Sequence, residues 1–156
     1  MTLPLLIFGA VLAAPPHALP AGPAWATVTK APAFRWEGIV LEFGNLDEPV
    51  AGSPATSFYV RRTASGARSI RVTWADSLTC PELAGVVAGL RAFPAPDGAR
   101  GGSRPSGRAG MRYALARPLG QSLFGDAEST LARWTDRSLQ QLAACWRTTP
   151  PDHLAA

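Results

Sequence analysis

Histidine is almost absent from this chain. The 156 residues hold two, His17 and His153, one towards each end. A serine or cysteine nucleophile in the body of the chain therefore has no imidazole base in reach along the sequence. Cysteine is as scarce: Cys80 and Cys145 occur without any C-x-x-C spacing. Two thiols and a terminal histidine do not complete a four-ligand zinc shell, so neither a metal nor another cofactor is expected. There is no G-x-S-x-G, and the glycine-rich "GARGGSRPSG" carries no G-K-[ST]. Those absences remove the nucleophile elbow and the phosphate-cradling loop. No apolar run approaches the roughly 20 residues that a membrane-spanning helix requires.

Acids are few. Of the eleven carboxylates, Asp76 and Glu82 flank an expected helix start and are the pair most easily brought together. Glycoside hydrolysis uses two carboxylates roughly 5–10 Å apart, so this pair carries one reading, an enzyme acting on envelope polymers. A turn acid followed by a helix cap explains the same two residues without chemistry.

The composition is otherwise globular: 47% apolar, 17% charged and a net charge of +4. That balance and length suit one domain with its own core. Lys30 is the single lysine, so arginine supplies nearly all the positive charge. Arginine recognises phosphate and carboxylate in a flat, bidentate fashion. A coding sequence rich in G and C also favours arginine together with alanine, glycine and proline, all abundant here.

The opening "MTLPLLIFGAVLAAPPHALPAGPAWA" has an apolar run from Leu3 to Ala14. It is too short to cross a bilayer and suits the core of a secretory signal. Ala24-Trp25-Ala26 has the small-x-small form that signal peptidase accepts, which places the leader at 1–26 and a mature start at Thr27. Ala14, Ala18 and Ala21 are alternative cleavage points. The region before the apolar run lacks lysine and arginine, which departs from the usual pattern. The expected location is the periplasm or the extracellular space, where disulfides persist.

Within 27–149 a single domain is expected. "RWEGIVLEFGNL" alternates, with Ile39, Leu41 and Phe43 on one face, the period of a half-buried strand. "SFYVRRT" and "RSIRVTW", joined by "ASGA", read as a hairpin with a four-residue loop. Thr79 and Glu82 are spaced as a capping box, with Pro81 in the first turn. Leu83, Val86, Val87 and Leu90 then form one stripe of a helix over 80–92. The Arg/Gly-rich stretch 97–110 reads as a flexible loop, "MRYALA" as a strand and "RPLGQ" as a turn. A second helix is expected over 126–146, striped by Leu131, Trp134, Ser138, Leu142 and Cys145, and 150–156 reads as a loose tail. Trp74, Trp134 and Trp146 fall on core faces or helix ends and are expected to pack there.

The order β-β-β-α-β-α with short links implies an α+β fold. It would have a small antiparallel sheet of about four strands, covered on one face by two helices. If those helices lie antiparallel, Cys80 at the start of the first meets Cys145 at the end of the second. A disulfide there closes a long loop. The competing role for Cys80, a thiolate at a helix N-terminus, lacks a histidine partner.

Without catalytic groups, the composition points to a binding or interaction module. Arg61, Arg62, Arg68 and Arg71 on the hairpin, with Arg100, Arg104, Arg108 and Arg112 in and after the loop, are the candidate anion or partner contacts. Outside the cytoplasm the expected partner is an envelope protein, an anionic polymer or a lipid headgroup rather than nucleic acid. A purely structural envelope component is the remaining reading.

Overall fold

The computed structural model describes residues 24–33, 35, 37–46, 57–93, 110–118 and 122–151. Strands β1 (Ala26–Pro32), β2 (Gly38–Asn45), β3 (Phe58–Gly66), β4 (Ser69–Asp76), β5 (Met111–Ala116) and β6 (Ser122–Gly125) form one sheet in the order β4-β3-β2-β1-β5-β6. Every neighbouring pair is antiparallel. Helices α1 (Glu82–Arg91) and α2 (Thr130–Gln141) follow β4 and β6. The class is α+β, as expected, but among the described residues the sheet has six strands rather than about four.

Both additional strands are hard to read from the sequence for physical reasons. β1 alternates Ala26 and Val28, both buried, with the half-buried Thr27 and Thr29. That period is present in the sequence, but it begins where the leader was expected to end. β6 is four residues long, too short for a periodic signal, and exists as the return arm of β5.

One face of the sheet is the core. Val28, Leu41, Phe43, Val60, Ala75, Tyr113 and Leu115 point to the helices and meet Leu83, Val86, Val87, Leu90, Leu131 and Leu142. Each fully buried aliphatic or aromatic side chain of this kind stabilises by about 1.5–3 kcal/mol. The α1 stripe is the one its spacing predicts. Trp25 joins the cluster ahead of β1. Its amide donates to the Phe43 carbonyl, its ring lies 6.1 Å from that of Phe43, and the Arg91 guanidinium sits 5.2 Å over it.

Local chemistry differs from expectation at three places. The β3–β4 link is a two-residue turn, Ala67-Arg68, because pairing runs through to Gly66 opposite Ser69. The Thr79–Glu82 capping box does not form; Pro81 stands at the N-cap of α1 and supplies no side-chain cap, and the Thr79 hydroxyl donates to Asp76 instead. α2 is shorter than 126–146. Asp126 accepts from the Glu128 amide in a turn, Ser129 caps the helix by accepting from the Ala132 amide, and the chain leaves helical geometry at Leu142. The turns after Leu142 bring Cys145 to Cys80, with Cα atoms 5.8 Å apart in a disulfide-bonded pair.

Lys30 closes the β1 end of the helix layer. Its ammonium donates to Asp136 of α2 at 2.6 Å, and the Tyr113 hydroxyl donates to the other oxygen of the same carboxylate at 3.1 Å. Burial pulls the Lys30 pKa down, but Asp136 and Tyr113 more than offset it, so the ammonium titrates above its usual value. Burial, aided by the Asp136 hydrogen bond, also raises the Tyr113 phenol. Groups that hold their protons more tightly when folded contribute stability that is present below the unfolded pKa, about 10 here, and is lost as pH rises through the folded value. The thermal midpoint should therefore hold to about pH 9 and fall as pH rises above about 10, and the fall should be smaller in Tyr113→Phe.

Candidate functional site

α1 and α2 lie side by side on the sheet, and their facing surfaces leave a cleft of about 370 Å³ at the α1 C-terminus. It is lined by Gly89, Ala92 and Phe93 from the end of α1 and by Thr130, Arg133, Trp134 and Arg137 from α2. Gly89 makes the geometry possible. A Cβ there would sit 2.8 Å from Nε1 of Trp134, so only glycine lets the indole lie against α1. The Trp134 ring meets Phe93 edge-on at 5.8 Å and Phe43 at 6.2 Å. One aromatic edge is thereby anchored in the core while the half-buried remainder forms the cleft wall.

Arg133 and Arg137 are one helical turn apart and share a side of α2. Arg133 is held in place by donating to the Glu128 carbonyl at 2.6 Å and to the Thr130 hydroxyl. Arg137 is exposed and makes no ion pair among the described residues. An apolar aromatic wall beside two arginines is the chemistry of a site for an anion attached to an apolar body. The chain also leaves the described fold at Phe93, on the cleft lip, to enter the arginine-rich stretch of which Arg100, Arg104 and Arg108 lie outside the described residues.

The other arginines singled out in the sequence do not share one surface. Arg61 lies on the open face of the sheet, paired to Glu42 at 2.5 Å, with its guanidinium 5.8 Å from the Trp74 ring centroid. Arg62, next along the strand, projects to the helix side and stacks 5.4 Å over Trp146. Arg68 stands in the exposed turn and Arg71 is exposed on β4. Arg112 of β5 is half-buried. Strand alternation separates Arg61 from Arg62 and Arg71, so the hairpin arginines divide between two faces.

Asp76 is 3% exposed at the end of β4. One oxygen accepts from the amides of Leu78 and Thr79 at 3.0 and 2.9 Å, and the other accepts from the Thr79 hydroxyl and pairs with Arg147. Its lone pairs hold the turn into α1 and the segment after α2 in place. Glu82 lies elsewhere in role, with a carboxylate oxygen 3.4 Å from Sγ of Cys80 and 3.9 Å from Sγ of Cys145. Cys80, Glu82 and Cys145 are thus close enough to surround a cation. The two sulfurs are bonded to each other, however, and neither offers the thiolate that a metal binds. His17 and His153 lie outside the described residues.

The arginine pair of α2 carried a readable signal, the i, i+4 spacing of Arg133 and Arg137 around Trp134. What the sequence did not reveal is that Gly89 and Phe93 complete a cleft against it, because that requires the relative placement of two helices. Comparison with known protein families, curated proteins and solved structures gave no match.

Proposed function

We propose that this protein is an exported, non-catalytic binding module that takes an anionic ligand with an apolar body into the cleft between α1 and α2. The observation that carries the reading is the pairing of Arg133 and Arg137 with the Trp134–Phe93 wall. The cleft volume falls within the range of small-molecule sites, about 300–1,000 Å³. The commitment of Asp76 to four intramolecular partners argues against the hydrolase alternative, since a general acid or base needs a free oxygen for substrate.

Calorimetric titration with decyl phosphate, decyltrimethylammonium and inorganic phosphate tests the site. Decyl phosphate should bind, the cation should not, and inorganic phosphate should bind far more weakly. Arg137→Ala should weaken decyl phosphate about tenfold, the scale of one charge-assisted hydrogen bond. Equal binding of the cation, or no effect of Arg137→Ala, contradicts the proposal.

Export rests on the apolar opening run and is favoured by a disulfide in the fold. Ala26 is buried in the core and Trp25 packs against it, so cleavage upstream of Trp25, with Ala21 the nearest candidate, preserves the fold better than cleavage after Ala26. Intact mass of the recovered full-length product, with alkylation before and after reduction, checks both points. The expected species starts upstream of Trp25 and alkylates only after reduction. An uncut chain that alkylates at once would overturn export.

A further inference from the structure

We propose that the outer edge of β4 at Ile70 to Val72 accepts an extended acidic segment of a partner protein as a further strand. β4 is an edge strand of the sheet. On its outer side the Trp74 amide and carbonyl pair with the carbonyl and amide of Arg147, at 2.8 and 2.9 Å. In an antiparallel ladder every second residue directs its amide and carbonyl to the same side, so Ile70 and Val72 direct theirs outward as Trp74 does. Among the described residues nothing pairs with them there. The edge already accepts a chain at Trp74, but the ladder stops there: Thr149, which the same register would set opposite Val72, makes no backbone bond to it among the described residues, and Pro151, opposite Ile70, has no amide hydrogen to give.

The side chains select the occupant. Ile70 is 71% exposed and Val72 40% exposed, both on the open face of the sheet. Between them Arg71 points to the opposite face and makes no ion pair among the described residues, and Arg68 stands exposed in the adjoining turn. An added strand would therefore set apolar residues beside Ile70 and Val72 and meet the arginines with the alternate ones. A segment alternating apolar and acidic residues satisfies both faces. A second copy of this chain, paired antiparallel about the same position, would set Arg71 against Arg71, which like charge disfavours. This surface lies on β4 rather than between the helices, so its test is independent of the cleft.

The probe is a blocked hexapeptide of alternating valine and glutamate, with its valine–lysine counterpart as control, followed by amide hydrogen exchange on the intact protein. The glutamate peptide should protect the amides of Ile70 and Val72, and the lysine peptide should not. Ile70→Pro removes an outward amide from an edge strand, a position proline tolerates, and should abolish protection. Arg71→Glu should weaken the glutamate peptide about fivefold and admit the lysine peptide. Should Ile70→Pro misfold, the Arg71→Glu exchange of preference decides alone. No protection at about 1 mM peptide, a weak-binding ceiling, overturns the proposal. So does binding that Ile70→Pro leaves intact, or protection without peptide that rises with protein concentration.

Discussion

In urea, the Cys80→Ala/Cys145→Ala double variant should unfold with a free energy about 4 kcal/mol below that of the parent. The two cysteines are 65 residues apart in sequence, and the chain-entropy account gives this value for a closed loop of that length. Domains of this size are stable by about 5–15 kcal/mol in total, so the bond decides whether the fold survives moderate heating. Its position makes the effect large. Cys80 precedes α1 and Cys145 follows α2, and between them lie both helices, β5 and β6. The parent treated with reductant should show the same loss. An unchanged free energy in both would mean that the ends of the helices are held by packing alone.

Asp76→Asn is the second large effect. The substitution keeps the shape of the side chain but turns one oxygen into a donor facing the Thr79 hydroxyl and the Arg147 guanidinium. Losing a buried carboxylate that satisfies several donors should lower the unfolding free energy by about 3 kcal/mol. Arg147→Ala should cost less, because the Arg147 side chain is 45% exposed and water replaces part of what it loses. The same variant separates two roles for the carboxylate. A structural role predicts a lower unfolding midpoint. An unchanged midpoint together with lost hydrolysis of an envelope polymer would return Asp76 to chemistry.

The sequence read most clearly where one residue's role depends on its own element. The α1 stripe of Leu83, Val86, Val87 and Leu90 and the alternation in β2 follow from local periodicity, and the structure has both. The cysteine pairing was legible because two helices on one sheet face leave few arrangements for their ends. Caps were less so. Thr79 and Glu82 have the spacing of a capping box, yet Asp76 captures the Thr79 hydroxyl, a competition set by the direction in which β4 ends. β1 lay in plain alternation but next to a cleavage pattern, and Trp25, the middle of that pattern, is partly buried against the core. The candidate cleft was least legible, because Trp134 looks the same in a sequence whether it fills a core or walls a site. Gly89 on the opposite helix decides that, and nothing in the spacing of either helix announces it.

In the proposed function, the Trp134 wall and the arginines beside it form one binding site. The most direct measurement is a nitrogen–proton correlation spectrum of the full, disulfide-bonded protein titrated with decyl phosphate. The indole signal of Trp134 and the side-chain signals of Arg133 and Arg137 should shift together along one saturating curve, while the indole signal of Trp74 on the open sheet face stays fixed. A titration in which the Trp134 indole does not move, or in which all the tryptophans move alike, would contradict the account.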